Sequence, residues 1–112
     1  MGDDSPQPDS QTVRLGRLGV ALMLVAHLVW DPALTLAGVA AFGVVEEDSA
    51  LVRTLLTIHP AVWLAAKVAA LGAFTGLFFA IGAHRDIETV LFPWLIALLG
   101  IVAPLGWIPL LL

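Results

Sequence analysis

Three apolar stretches, residues 18–45, 60–83 and 89–112, take up most of this chain. Each exceeds the roughly 20 residues that an α-helix needs to cross the ~30 Å hydrocarbon core of a bilayer. No water is available inside that core, so each backbone N–H and C=O must find its partner within the protein, and a helix supplies those partners by itself. The chain is therefore expected to be all-α, a polytopic transmembrane three-helix bundle. Composition agrees. Hydrophobic residues make up 60% and charged residues 12%, and the mean hydropathy of +0.98 lies outside the range of soluble globular domains.

The same composition excludes several function classes. There is no cysteine, hence no disulfide framework, thiolate zinc site or cysteine nucleophile. Three histidines without cysteine give no basis for a metal site, and no cofactor is expected. The net charge is −4, with the acids gathered in the N-terminal tail and the first loop. No basic stripe offers itself to nucleic acid, and nothing Arg-rich favours an anionic lipid surface. The acidic, Ala/Val-rich style, with four arginines and one lysine, resembles that of salt-adapted archaeal proteins.

Residues 1–13 are polar, with three aspartates and two prolines, and are expected to form a disordered tail ahead of a transmembrane domain over 14–112. Arg14 and Arg17 precede the first apolar run. A charged start and the short stretch Leu18–Trp30 fit a signal peptide, but apolar character resumes at Ala33 with no clean A-x-A site, so a retained helix is expected. The run of 28 residues spans about 42 Å as a helix, more than a bilayer core requires. Pro32 removes the hydrogen bond to the Leu28 carbonyl, so one kinked helix over 18–45 is expected.

Glu46–Ser49 marks the exit to water. Ser49 suits an N-cap, and Ala50–Ile58 carries Leu51, Leu55 and Ile58 on one side, as a short helix lying on the interface does. Pro60 suits the first turn of a second helix over 60–83. The tight polar connection His84–Glu88 predicts that the second and third helices are antiparallel neighbours, with Asp86 capping the third, over 89–112. Pro93, Pro104 and Pro109 predict bending or fraying there. Arg14, Arg17 and Arg85 fall on one side and Arg53 sits among acids on the other, so the positive-inside rule predicts a cytoplasmic N-terminus and an outside C-terminus in the cell membrane. Trp63 and Trp107 then belong to the outer interface and Trp94 to the inner one.

Ionisable groups inside the apolar runs carry what functional information there is. A charge at bilayer mid-depth costs roughly 2.5–3.5 kcal/mol on insertion scales, so Asp31 needs a partner, a wet cavity or a proton. His27, Asp31 and Thr35 stand at i, i+4 and i+8 and share one helix face with Gly38. That stripe fits a proton path, an ion site or a partner subunit; it equally fits local satisfaction of Asp31 by its two neighbours. Lys67, the only lysine, lies inside the second run. Counting residues along the two helices makes a direct Lys67–Asp31 pair stretched, and snorkelling to Glu46 or Glu47 geometrically easier.

Gly72-Ala-Phe-Thr-Gly76 is a GxxxG motif, continued by Ala80, whose small residues predict close helix packing against Gly38 and Ala41 or against a second copy. His84-Arg85-Asp86 spells a kinase catalytic-loop triplet without the Gly-rich loop, downstream Asn or soluble domain that kinase chemistry needs.

Asp31-Pro-Ala-Leu-Thr35, Gly43-Val-Val-Glu46, Asp48-Ser49 and Lys67 together resemble the D-x-x-x-T, G-x-x-E-x-N-P, K pattern of a small family of archaeal-type membrane proteins of unknown function. Here Asp48-Ser49 stands for Asn-Pro. The resemblance covers about Asp31–Leu71, implies three or so helices, and carries over Asp31, Glu46 and Lys67 without assigning them any chemistry.

The leading functional expectation is a small structural or accessory subunit that packs in the lipid bilayer with itself or with a larger complex. The alternative is an oligomeric channel or carrier with a path lined by His27, Asp31, Thr35 and Lys67. An intramembrane enzyme using Asp31 and Glu46 comes last. A subunit predicts a polar stripe covered by protein, a transporter a wet cavity, and an enzyme convergent acids in a cleft.

Overall fold

A computed structural model describes residues 10–112, with the side chain of Val45 left aside. The described residues are predominantly helical, with no strand, and their α-helices are α1 (Ser10–Val25), α2 (Asp31–Phe42), α3 (Ala50–Ile58), α4 (Pro60–Ala80), α5 (Phe92–Val102) and α6 (Ile108–Leu111). Three spans are long and apolar enough to cross a membrane: Ser10–Phe42, Pro60–Ala80 and Phe92–Leu111. The chain is thus an all-α three-helix bundle, and its spans fit an integral membrane protein. Residues 1–9 of the expected tail lie outside the described residues, whereas Ser10–Val13 already belong to α1.

The first span joins α1 to α2 through a π-helical turn, Ala26–Trp30, in which the Asp31 N–H bonds to the Ala26 carbonyl, five residues back. The cause is local. Pro32 has no N–H and its ring crowds the carbonyl four residues earlier, and a wider turn relieves both defects without breaking the helix. Proline thus produces a π turn here in place of a simple kink.

Short-range chemistry sets the first loop. Gly43 ends α2 at φ +93°, a backbone conformation that a side chain resists, and the chain turns away three residues before the expected end at Val45. The Ser49 hydroxyl then accepts from the Val52 N–H at 3.3 Å and caps α3. Pro60 opens α4, and His59 Nδ1 accepts from the Ala61 N–H at 3.0 Å. Ser49→Ala should loosen only α3. An exposed cap is worth about 1 kcal/mol, and roughly fivefold faster amide exchange at Val52 with α4 unchanged is the expected result.

Asp86 behaves differently from the sequence expectation. Its carboxylate accepts from the Glu88 N–H at 2.9 Å, and its carbonyl accepts from Thr89 and Val90. It shapes the turn before the third span and does not cap α5, which starts six residues later.

Packing is organised by glycines on the first span. Trp94 of α5 lies over Gly19 and donates its indole N–H to the Leu15 carbonyl at 2.9 Å. Trp107 lies over Gly38 and His27 over Gly100, so α1 and α2 bed closely on the third span. This corrects the expected neighbourhood: the third span's main partner is the first span. The second span meets α3, the π turn and the Ala83–Arg85 turn. Its inward side carries Trp63, Leu71 and Phe78, the last two joining Val20, Met23 and Ala97 in the core.

Gly72, Gly76 and Ala80 face away from the rest of the chain, and a Cβ added to either glycine meets nothing within 4 Å. Close packing of the GxxxG motif on Gly38 therefore does not occur within the chain. The physical reason is the larger residues: Trp63, Leu71 and Phe78 bury far more area, and turning them inward turns the small face outward.

Candidate functional site

The π turn and the first turn of α2 carry the polar residues of the first span. Asp31 is 8% exposed and Thr35 2%, an enclosure that a lone carboxylate resists. Thr35 stands one α-turn beyond Asp31, and its hydroxyl donates to Asp31 Oδ1 at 2.9 Å. Lys67 reaches across from α4 and places Nζ 2.6 Å from Asp31 Oδ2 and 3.1 Å from His27 Nδ1. His27 Nε2 lies 2.6 Å from the Ile96 carbonyl of α5.

These contacts assign the protons. A carbonyl only accepts, so His27 carries its hydrogen on Nε2 and donates it to Ile96. Nδ1 is then free to accept from the Lys67 ammonium. The ammonium gives one hydrogen to the carboxylate and one to the imidazole, and lies 5.3 Å from the centre of the Trp63 ring. A cation over an indole face gains further electrostatic stabilisation. Lysine, aspartate, histidine, threonine and a main-chain carbonyl thus form one chain of donors and acceptors joining all three spans.

Energetically this is a compensated ion pair. Removing two charges from water costs several kcal/mol per ion, and attraction at 2.6 Å offsets that cost only with the remaining lone pairs and protons occupied. Thr35, His27 and Trp63 occupy them. The Lys67 and Asp31 side chains retain 15% and 11% exposure, so the pair lies at the edge of the packed interior.

Of the residues expected to form an intramembrane network, the structure brings together His27, Asp31, Thr35 and Lys67 and leaves out Glu46 and Glu47. The easier pairing of Lys67 with those acids is overturned. Gly43 redirects the chain beyond α2, so that Glu47 accepts from the Trp107 indole at 3.2 Å and the Ser49 N–H at 3.4 Å, while its carbonyl accepts from Arg53 at 2.7 Å. Glu46 is exposed. These acids, with Asp48, line a cavity of about 190 Å³ against Gly106, Trp107 and Leu110. Of the three positions carried by the family resemblance, Asp31 and Lys67 touch and Glu46 stands apart. Among the described residues no group of His, Asp and Glu is placed to hold a metal ion.

Three participants were not expected from the sequence. Trp63 is 2% exposed and lies under Lys67; its position four residues before Lys67 was a usable signal. The Ile96 carbonyl and Gly100, whose missing side chain leaves room for the His27 ring, have no sequence signature. Trp30 also ties the first span to the third, its indole donating to the Ile101 carbonyl at 3.0 Å. Compared with family models, curated proteins and solved structures, the chain finds no match in any of the three.

Proposed function

We propose that this chain is a small integral membrane subunit whose buried charges are structural, and that it packs in the bilayer with a second copy or a larger membrane complex. The observation that carries this reading is the closure of the Lys67–Asp31–His27 network. Its acid is enclosed by protein, its histidine is engaged at both nitrogens, and it fastens the sparsely packed second span to the other two. A carrier needs at least one of these groups exposed to a wet path; an enzyme needs a second acid beside Asp31, and Glu46 lies elsewhere. The free small-residue face of α4 suits a neighbouring helix.

Two measurements test the proposal together. Vesicles containing the protein should leak protons and potassium no faster than protein-free vesicles. Native mass measurement from nanodiscs should find assemblies heavier than the 11.8 kDa of one chain. A current abolished by Asp31→Asn would replace the proposal with a channel or carrier lined by His27, Asp31, Thr35 and Lys67. A single 11.8 kDa copy under all conditions would remove the subunit reading.

A further inference from the structure

We propose that the end of the bundle carrying Arg17, His84 and Arg85 binds the phosphate headgroup of an anionic phospholipid. The sequence holds no Arg-rich segment, but folding assembles one. Gly16 of α1 sits against the Ala83–Arg85 turn, with its Cβ position 3.2 Å from the His84 Cβ. The residues that follow each of them in sequence, Arg17 and Arg85, are thereby gathered from segments 68 positions apart. Both are exposed, and Arg14, one helical turn before Arg17, is exposed as well.

Among the described residues these cations have no ion-pair partner. The one ion pair there is Lys67–Asp31, so neither Arg17 nor Arg85 has a carboxylate within salt-bridge distance among them. Arg14 and Arg17 repel each other at a spacing of three on α1. His84 belongs to the same turn as Arg85, faces Gly16 of α1, and packs against the Phe79 ring, 4.9 Å away. Its Nδ1 is enclosed without a hydrogen-bond partner. Burial, then the charges of Arg85 and Arg17, keep its imidazole below the ordinary histidine range.

The surroundings match a headgroup rather than a free anion. The cluster stands where the apolar run of the first span begins, at Leu18, and just past the second span, which ends at Ala80, so a phosphate would lie within reach of arginine and acyl chains would meet exposed Leu18 and Ile81. Trp94, one turn deeper beside Gly19, suits the boundary between headgroups and hydrocarbon. A guanidinium donates to phosphate oxygens in a bidentate fork, and two from different segments can clasp one headgroup. Asp86 and Glu88, exposed in the same connection, tune the site without closing it.

The test uses nanodiscs of phosphatidylcholine and phosphatidylglycerol in a 3:1 ratio, with the lipid retained by the full chain measured by native mass spectrometry. Phosphatidylglycerol should be enriched over its share of the bilayer. Each of Arg17→Gln and Arg85→Gln should lower retention about fivefold, equivalent to ~1 kcal/mol per arginine near an anionic surface. Arg17→Lys and Arg85→Lys should fall between wild type and the Gln variants, since lysine keeps the charge but loses the bidentate fork, and Arg53→Gln, in the first loop, should change nothing. The His84 resonance should titrate at higher pH in these nanodiscs than in pure phosphatidylcholine, because a bound anion offsets the arginine field. Equal retention of the two lipids would overturn the proposal. So would saturation by millimolar inorganic phosphate without lipid enrichment. Enrichment that appears only after Asp3, Asp4 and Asp9 are changed to Asn would assign the surface to the chain's own tail.

Discussion

Asp31→Asn and Lys67→Met should each lower unfolding stability in bicelles by about 3 kcal/mol, the low end for breaking an enclosed ion pair. The low end applies because both side chains keep some exposure, 11% and 15%, and the orphaned group recovers part of its solvation. Lys67→Met leaves Asp31 with the Thr35 hydroxyl alone. Asp31→Asn leaves the ammonium on the imidazole and the Trp63 ring. The double change should cost well below the sum, with a coupling of roughly 2 kcal/mol, since neither orphan remains. Additivity within about 0.5 kcal/mol would break the link between the two residues. The corresponding cycle between Lys67 and Glu47 should show no coupling, because Glu47 is committed to Trp107 and Ser49.

Glycine substitutions should divide sharply by span. A Cβ on Gly38 would sit 2.1 Å from Trp107 Cε3, and that indole is 4% exposed and tied to Glu47. Gly38→Ala should therefore cost about 2–3 kcal/mol, the upper part of the range for overpacking a closed interior. Gly100→Ala should cost a similar amount by a different route: its Cβ would lie 2.6 Å from His27 Nε2, pushing the ring off the Ile96 carbonyl and off Lys67. Gly72→Ala and Gly76→Ala meet open space and should leave the stability of a single chain within about 0.5 kcal/mol. Thermal unfolding of the four variants in one detergent checks the contrast. Gly76→Ile offers a further distinction: reduced assembly mass with unchanged chain stability would place a partner helix on that face.

Much of the candidate site was legible because its first three members lie on one helix. Helical periodicity alone puts His27, Asp31 and Thr35 on a common stripe. The cost of a charge in hydrocarbon singled out Asp31 and Lys67. What misled was the register between spans. Residue counting placed Lys67 at a stretched distance from Asp31, but α3 and Gly43 decide where α4 begins along the bundle, and their combined geometry is not additive in residue number.

The sequence by itself determined the all-helical class, the number of spans long and apolar enough to cross a membrane, the cap at Ser49 and the start of α4 at Pro60. Each follows from a constraint met within one segment: bilayer thickness, backbone pairing, or the chemistry of a single turn. Tertiary structure decided which helices touch. Gly16, Gly19, Gly38, Gly100 and the Gly72/Gly76 pair are equivalent on paper, since any of them permits close approach. Only the first four face another segment, because the bulky side of α4 turns inward and the first span offers flat ground to two tryptophans and a histidine. Lys67 likewise had two sets of acids within plausible reach. The choice of Asp31 came from a widened turn that set His27 and Asp31 where one ammonium meets both.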